Sequence, residues 1–131
     1  MVAIIIVSHS RKLAEGLKEV LDQISKGKVK VVAVGGAKDG GLGSNAIEIR
    51  EKILSLSGED ALLVFFDLGS TIISTKAALS GIPKEIAKKT HLIDAPLVEG
   101  AFVATVEASA GSPVNDIIKA AEEARNARKF Y

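Results

Sequence analysis

Two histidines are the first candidates for chemistry in this sequence, and their surroundings differ. His9 follows an apolar run and stands between Ser8 and Ser10. Imidazole titrates near neutral pH and is nucleophilic when neutral, so a histidine at a strand-to-helix turn can accept a transferable group. The alternative is a histidine that only makes a hydrogen bond in a loop. His91 begins a weaker apolar run at the opposite edge of the predicted sheet, and we assign it no chemistry.

Asp67 is the candidate partner of His9, because it directly follows another apolar run and parallel strands bring such ends to one edge. A carboxylate that is hydrogen bonded to one ring nitrogen fixes the tautomer and leaves the other nitrogen free to attack. We therefore expect both His9 and Asp67 to be catalytic. The spacing is equally consistent with an aspartate that caps the following helix.

Glycine and serine precede two predicted helices, at Gly43-Ser44 and Gly69-Ser70. Small residues let an anion approach the exposed amides of a helix start, so these corners are candidates for binding phosphate. Ordinary helix capping explains the same residue types. The candidate phosphate-binding residues are Ser10, Gly35, Gly43, Ser44, Gly69 and Ser70.

Short apolar runs predict the strands that position these residues. They span residues 3–7, 29–34 and 61–66, with a weaker run at 91–93. The runs show little polar alternation, which is typical of parallel strands that are covered on both faces.

Helical patterns fill the intervals between the strands and the segment after the last one. Apolar residues recur at steps of three and four over 13–24 and 46–56, and residues 70–80 and 98–109 are rich in alanine. Ser112-Pro113 is a typical helix start. The alternation predicts an α/β fold: one doubly wound domain over residues 1–131, with a mainly parallel four-stranded sheet and helices on both faces.

Composition excludes several functions. The 131 residues include 17 Lys+Arg and 16 Asp+Glu, a net charge of +1, which argues against binding to nucleic acid or acidic lipid. There is no cysteine, and two histidines at opposite edges of the sheet do not make a metal site. No apolar run approaches the roughly 18 residues that span a membrane, and no signal peptide precedes the first strand, so we expect a cytoplasmic protein. The P-loop motif is absent, which argues against ATP hydrolysis of the P-loop kind. The full G-x-G-x-x-G motif is absent too, and its looser form with a final alanine, at residues 41–46, follows the second strand after a long loop, which argues against dinucleotide binding.

Four short motifs, in this order, resemble one family, the phosphotransferase subunit of the phosphoenolpyruvate-dependent dihydroxyacetone kinase. That subunit is related to the mannose-type enzyme IIA domains of the sugar phosphotransferase system. The resemblance extends from Val2 to about Ala124. The motifs are Ile4-Ile5-Ile6-Val7-Ser8-His9-Ser10, Gly35-Gly36, Phe66-Asp67-Leu68-Gly69-Ser70 and Ala95-Pro96-Leu97-Val98-Glu99-Gly100-Ala101.

The resemblance implies a phosphocarrier that works through His9. This histidine would take a phosphoryl group from the histidine-containing phosphocarrier protein and pass it to ADP on the nucleotide-binding subunit of the kinase. Asp67 would support the histidine. The chain itself would bind no cofactor, since ADP and magnesium belong to the partner subunit. The resemblance also implies a homodimer, and because the sequence ends at Tyr131 we expect the donor to be a separate protein.

Two alternatives remain at this point. One is a mannose-type enzyme IIA domain of a sugar transporter, in which His9 has the same role and only the acceptor differs. The short Asp67-Leu68-Gly69-Ser70 segment and the later Glu99-Gly100-Ala101 favour the dihydroxyacetone branch. The other is a non-catalytic α/β binding or regulatory module.

The end of the chain departs from the mannose-type pattern. Many mannose-type relatives end in an extra strand, whereas the residues after Ser112 predict a helix here.

Overall fold

A parallel four-stranded sheet forms the centre of the molecule, in the strand order β2-β1-β3-β4. The computed structural model describes residues 1–130. Each predicted strand lies within one residue of the observed one at both ends. The strands are β1 (Val2–Ser8), β2 (Lys30–Gly35), β3 (Ala61–Phe66) and β4 (Thr90–Leu92).

Helices connect all the strands and follow the last one, as the alternation of patterns predicted. The single-turn helix α4 was not predicted, because four residues are too few to show a helical period. Helix α6 confirms that the segment after Ser112 is helical. Within residues 1–130, no helix combines the length and the apolar character needed to cross a membrane. The helices are α1 (Arg11–Ser25), α2 (Ala46–Ser55), α3 (Gly69–Leu79), α4 (Lys84–Ala87), α5 (Leu97–Ser109) and α6 (Val114–Glu123), followed by a 3-10 turn over Ala124–Asn126.

The sheet has a hydrophobic core on each face, because successive side chains of a strand point to opposite sides. Ile4 and Ile6 of β1 belong to a cluster with buried residues of α1, α5 and α6. Ile5 and Val7 belong to a second cluster with buried residues of α2 and α3. These four side chains are fully buried. The predicted α/β fold with helices on both faces is therefore confirmed.

The strand order places the ends of β1 and β3 side by side. The chain passes from β1 to β2 on one side, then returns to add β3 on the other side of β1. Such a reversal opens a crevice at the carboxyl ends of the two central strands. The last paired residues of the β1–β3 ladder are Val7 and Phe66, so the residues that follow each of them meet at this crevice.

Gly35, the last residue of β2, lets that strand lie directly against the turn after β1. A Cβ at this position would come within 2.9 Å of the carbonyl oxygens of Ser8 and Ser10 and within 3.0 Å of Arg11 Cα. All three are main-chain atoms of the β1–α1 connection, which cannot rotate away as a long side chain can. The position therefore requires glycine.

We predict that Gly35→Ala lowers the free energy of unfolding by about 1–3 kcal/mol, because overpacking forces the backbone to shift. Gly16→Ala is the matched control, since Gly16 lies in the exposed interior of α1 with open space around it. That variant should raise stability by about 0.5 kcal/mol through the lost freedom of the unfolded chain. Urea denaturation measures both, and a Gly35→Ala protein with the wild-type midpoint would contradict the close packing.

Candidate functional site

His9 lies in a two-residue turn between the end of β1 at Ser8 and the start of α1 at Arg11. Ser10 caps the helix: its backbone is extended, and its Oγ accepts a hydrogen bond of 3.3 Å from the Leu13 N–H. This cap fixes where α1 begins and therefore how the chain leaves the sheet. His9 lies at the carboxyl edge of the sheet, as predicted, and its side chain is half-buried.

Asp67 is hydrogen bonded to the turn that carries His9. The carboxylate Oδ2 accepts the Ser8 hydroxyl at 2.6 Å and the main-chain N–H of His9 at 3.0 Å. Ser8 Oγ in turn accepts the main-chain N–H of Ser10 at 3.0 Å. One carboxylate at the end of β3 thus holds the whole β1–α1 turn.

Ser8 is a site residue that was not among the predicted ones, although the sequence carries a signal for it. Ile6 and Phe65 belong to the same core cluster, on the α1 side of the sheet. Ser8 and Asp67 come two residues later along these strands, so the period of two places both on that same side. A polar residue at the buried position of a strand needs a partner, and the neighbouring strand supplies one.

The ring of His9 is not hydrogen bonded to Asp67, which corrects the predicted geometry. Nδ1 is enclosed and has no hydrogen-bond partner among residues 1–130. The acceptor oxygens of Asp67 face main-chain amides and hydroxyls instead. Nε2 makes no hydrogen bond within the described residues and is not among the fully enclosed atoms, so it is the less enclosed of the two ring nitrogens.

The hydrogen bonds around Asp67 keep its carboxylate ionised. Partial burial by itself would raise the pKa of Asp67, but the donors Ser8 Oγ, His9 N–H and Leu68 N–H together outweigh it, and the pKa lies below its usual value. The Leu68 N–H is 2.7 Å from Oδ1. Asp67 therefore contacts its neighbour Leu68 as well as the turn of His9, but it does not cap α3, whose start has no side-chain cap.

The predicted phosphate corner at Gly43-Ser44 is occupied by contacts within the protein. The Gly43 N–H donates to the His9 carbonyl oxygen at 2.8 Å. The cap of α2 is Asn45, whose Oδ1 accepts the Ile47 N–H at 3.0 Å. The Ser44 hydroxyl lies 2.5 Å from that of Ser74 in α3. The Gly43 contact joins the glycine-rich loop to the histidine turn, and the Ser44 contact joins it to α3. The roles of Gly35, Gly43 and Ser44 toward phosphate stay predictions.

The corner at Gly69 and Ser70 is different, because the start of α3 has no side-chain cap. Its N-cap residue is Leu68, which has no polar side chain. The first amides of a helix have no partner within that helix, so those of Gly69 and Ser70 are available to an anion. Both residues are exposed beside Asp67. The role of Ser10 toward phosphate also stays a prediction, since its hydroxyl is already used as a cap.

Two shallow recesses flank the histidine turn. One, of about 380 Å³, lies at the ends of β3 and β4 and includes Asp67 and Gly69 in its lining. The other, of about 280 Å³, lies between the start of α1 and the glycine-rich loop and includes Ser10 and Leu42. The lining of neither recess includes His9. The histidine thus stands between two open depressions and not inside a closed pocket.

His91 does not begin β4 at the opposite edge of the sheet, as predicted, but lies within the strand. It is the middle residue of β4 and pairs with Leu63, three residues before the end of β3. Among residues 1–130, no group of three or more metal-ligating side chains is arranged to hold a metal ion.

Comparison with known proteins gives a family for this geometry. The model of the EIIA-man family, described as the PTS system fructose IIA component, matches residues 3–118. A crystal structure of a protein of unknown function, 33% identical, superposes with a TM-score of 0.89 and covers 99% of this chain and 98% of its own. The α/β fold is thus shared over nearly the whole length of both chains.

Several similar proteins are subunits of dihydroxyacetone kinases. The phosphoryl donor subunit DhaM of the PEP-dependent dihydroxyacetone kinase 2 of Listeria innocua is 42% identical over 107 residues, 82% of this chain and 86% of that protein. The phosphotransferase subunit DhaM of the PTS-dependent kinase of Lactococcus lactis is 35% identical, over 83% of this chain and 84% of that protein. The DhaM subunit of Providencia stuartii is 38% identical over 98% of this chain, which spans 28% of that longer protein. Since the family model and these relatives cover most of its length, the chain belongs to the EIIA-man family of phosphotransferase-system IIA components, among the DhaM phosphotransferase subunits.

Proposed function

We propose that this chain is the phosphoryl donor subunit of a phosphoenolpyruvate-dependent dihydroxyacetone kinase and carries the phosphoryl group on His9. The observation that carries the proposal is the position of half-buried His9 at the carboxyl ends of β1 and β3, on a turn held by Asp67. The donor is the histidine-containing phosphocarrier protein. The acceptor is ADP on the nucleotide-binding subunit, and these proteins meet in the cytoplasm.

The first step forms one bond and breaks one. The Nε2 lone pair of neutral His9 attacks the phosphorus of the donor's phosphohistidine. The bond between phosphorus and the donor's ring nitrogen breaks, and its electron pair stays on that nitrogen. Because phosphoryl transition states are loose, positioning and charge stabilisation supply most of the catalysis.

The second step transfers the phosphoryl group from His9 to an oxygen nucleophile. A β-phosphate oxygen of ADP attacks the phosphorus on His9, the P–N bond breaks, and ATP forms while Nε2 regains its lone pair. Magnesium arrives with the nucleotide on the partner subunit. The uncapped amides of Gly69 and Ser70 are the groups of this chain best placed to hold phosphoryl oxygens during both steps.

The shape of the surface suits partners that are proteins. A phosphoryl group carried on a partner must come within bonding reach of His9, which the open site between two recesses allows. Leu42 and Leu68 are 72% and 53% exposed, and each lies next to a residue hydrogen bonded to the His9 turn. Exposed leucines beside a transfer site favour short-lived contacts with protein surfaces.

We predict that wild type gains one acid-labile phosphoryl group when incubated with phosphoenolpyruvate, enzyme I and the phosphocarrier protein, and that His9→Ala gains none. Intact mass spectrometry measures the change. His91→Ala is the matched control and should be phosphorylated like wild type, since His91 lies within β4. Phosphorylation of His9→Ala at the wild-type level would refute the assignment, and an unphosphorylated wild type with an active donor would favour a binding module.

The identity of the phosphoryl acceptor distinguishes the proposed kinase subunit from the alternative, a IIA domain of a sugar transporter. We predict that phosphorylated protein loses its phosphoryl group to the ADP-loaded nucleotide-binding subunit at least about tenfold faster than to the IIB component of a mannose-type transporter, a discrimination of about 1.4 kcal/mol. The relatives from Listeria and Lactococcus, which are named as kinase subunits, favour this acceptor. Loss of the phosphohistidine, followed by phosphate-sensitive gel electrophoresis, measures both rates. Faster transfer to the IIB component would favour the sugar transporter.

We also propose that the chain forms a homodimer. Helices α1 and α5 together present an apolar surface that suits a dimer contact. Val20 and Phe102 lie on these neighbouring helices, line one groove and are 49% and 43% exposed. We predict that Phe102→Asp shifts a dimer toward monomer in sedimentation equilibrium, because a charge at a dimer contact would lose its hydration. Leu42→Asp, at the carboxyl edge, is the control and should leave the mass unchanged. An unchanged mass for Phe102→Asp would exclude this surface.

A further inference from the structure

The turn that carries His9 lies beside a negative charge. Partial burial opposes ionisation of Asp67, but the hydrogen bonds it accepts outweigh burial and hold its pKa below the usual value, so the carboxylate is charged at neutral pH. In the proposed function, a phosphoryl group on His9 adds further negative charge to this turn. The uncapped amides at the start of α3 are neutral dipoles, so they leave the net negative charge of the site unbalanced.

Arg11 is the cationic side chain closest to His9 along the chain. It is the first residue of α1, directly after the cap residue Ser10. The Cα atoms of His9 and Arg11 are at most about 7.2 Å apart, a distance that the long side chain of arginine can span. Arg11 also lines the recess of about 280 Å³ that flanks the histidine turn.

The position of Arg11 is unfavourable for α1 itself. The first turn of this helix begins with Arg11 and Lys12 and contains no acidic residue. Because the N-terminus of a helix carries a partial positive charge, acidic residues stabilise a first turn and cations do not. The first turn of α2, in contrast, contains Glu48. A cation that opposes the stability of its own helix, beside a candidate reactive histidine, indicates that the site requires positive charge.

The guanidinium of Arg11 is bound to Glu48 by a contact that it can leave. Arg11 Nη2 donates to Glu48 Oε2 at 3.1 Å, and the two side chains are 44% and 21% exposed. Among residues 1–130, this is the one hydrogen bond that the Arg11 side chain makes. Ion pairs that are open to solvent contribute little to stability. Arg11 is therefore kept at the edge of the site without being fixed there.

The other cations at this edge are less suited to meet a phosphoryl group. Lys76 lines the recess of about 380 Å³, but it follows Gly69 by seven residues and so lies about 10 Å further along α3. Lys12 is turned by about 100° around α1 from Arg11. Lys38 is exposed in the glycine-rich loop. Arginine, moreover, presents a planar fork of N–H donors that matches the oxygens of a phosphoryl group.

We propose that Arg11 is a catalytic residue that leaves Glu48 and binds the phosphoryl oxygens during transfer to and from His9. The inference rests on the proposed function of His9. The guanidinium stays charged throughout and contributes only charge-assisted hydrogen bonds, so it exchanges no proton and forms no covalent bond. Glu48 holds Arg11 in the unphosphorylated protein and competes with the phosphoryl group for it.

The test is the rate of phosphorylation of His9 by the phosphocarrier protein in variants that separate the two partners of the ion pair. Arg11→Gln should be about 10-fold slower. Loss of a donor from an enclosed site costs about 100-fold or more, but water partly replaces a donor that is 44% exposed. Glu48→Gln should be about two- to fivefold faster, because it removes the competitor for Arg11. The gain should vanish in the double variant.

Lys18 and Asp22 supply the matched controls. They form an ion pair of 2.5 Å within α1, and each side chain is 39% exposed. Lys18→Gln and Asp22→Asn should both keep the wild-type rate. If the contact between Arg11 and Glu48 served stability alone, loss of either partner would act in the same direction. Equal losses for Arg11→Gln and Glu48→Gln, or rates equal to the controls, would overturn the inference while the proposed function stands.

Phosphoramidate, a small phosphoryl donor that releases ammonia on transfer, separates chemistry from docking. It brings no protein surface, so Arg11→Gln should lose as much rate with this donor as with the phosphocarrier protein. A loss confined to the protein donor would place Arg11 in a docking surface, and a loss in Lys12→Gln without one in Arg11→Gln would assign the role to Lys12. Either result would overturn the inference. A wild type that takes up no phosphoryl group from the active protein donor would refute the proposed function itself.

Discussion

The hydrogen bonds that converge on Asp67 are the constraint on which the rest of the site depends. Two of them join the end of β3 to the turn after β1, through the Ser8 side chain and the main-chain amide of His9, and a third comes from the main-chain amide of the adjacent Leu68. Without this carboxylate, the buried hydroxyl of Ser8 and the N–H of His9 would lose an acceptor where water has little access. The ionised state of Asp67 strengthens each bond, since charge-assisted hydrogen bonds are about twice as strong as neutral ones.

The sheet holds the ends of β1 and β3 in the fixed positions that the hydrogen bonds to Asp67 require. β1 and β3 are central strands, and the apolar residues of β1 pack against helices on both faces. On the other side, Gly35 lets β2 approach the same turn, and the glycine-rich loop reaches the His9 carbonyl. His9 therefore has a backbone held by hydrogen bonds, while its Nε2 makes no hydrogen bond to any residue in the described range 1–130. A group that must accept and release a phosphoryl between two partners needs this combination of a rigid base and an open reactive atom.

The same arrangement explains why the site is shallow. In the proposed function, His9 meets a protein-bound donor and a protein-bound acceptor in turn, and each must bring its reacting atom to the phosphoryl site at one ring nitrogen. An enclosing pocket would exclude both partners. The open start of α3 and the two recesses leave room for them, whereas the capped starts of α1 and α2 serve the protein's own structure.

Sequence patterns were enough to predict the strands, the main helices, the α/β class and the meeting of His9 with Asp67, because they depend on the local apolar period and on the rule that parallel strands end at one edge. Which atoms of those two residues meet depends on the packing of distant segments. The register of β1 against β3 sets Ser8 beside Asp67, and the carboxylate then binds the main chain and leaves the ring free. Likewise, glycine and serine at helix starts look alike in sequence, but Gly43 and Ser44 make internal contacts, whereas the first amides of α3 at Gly69 and Ser70 have no hydrogen-bond partner among residues 1–130. The reason is that hydrogen-bond partners are assigned by distances between segments far apart in the chain, which no local pattern records.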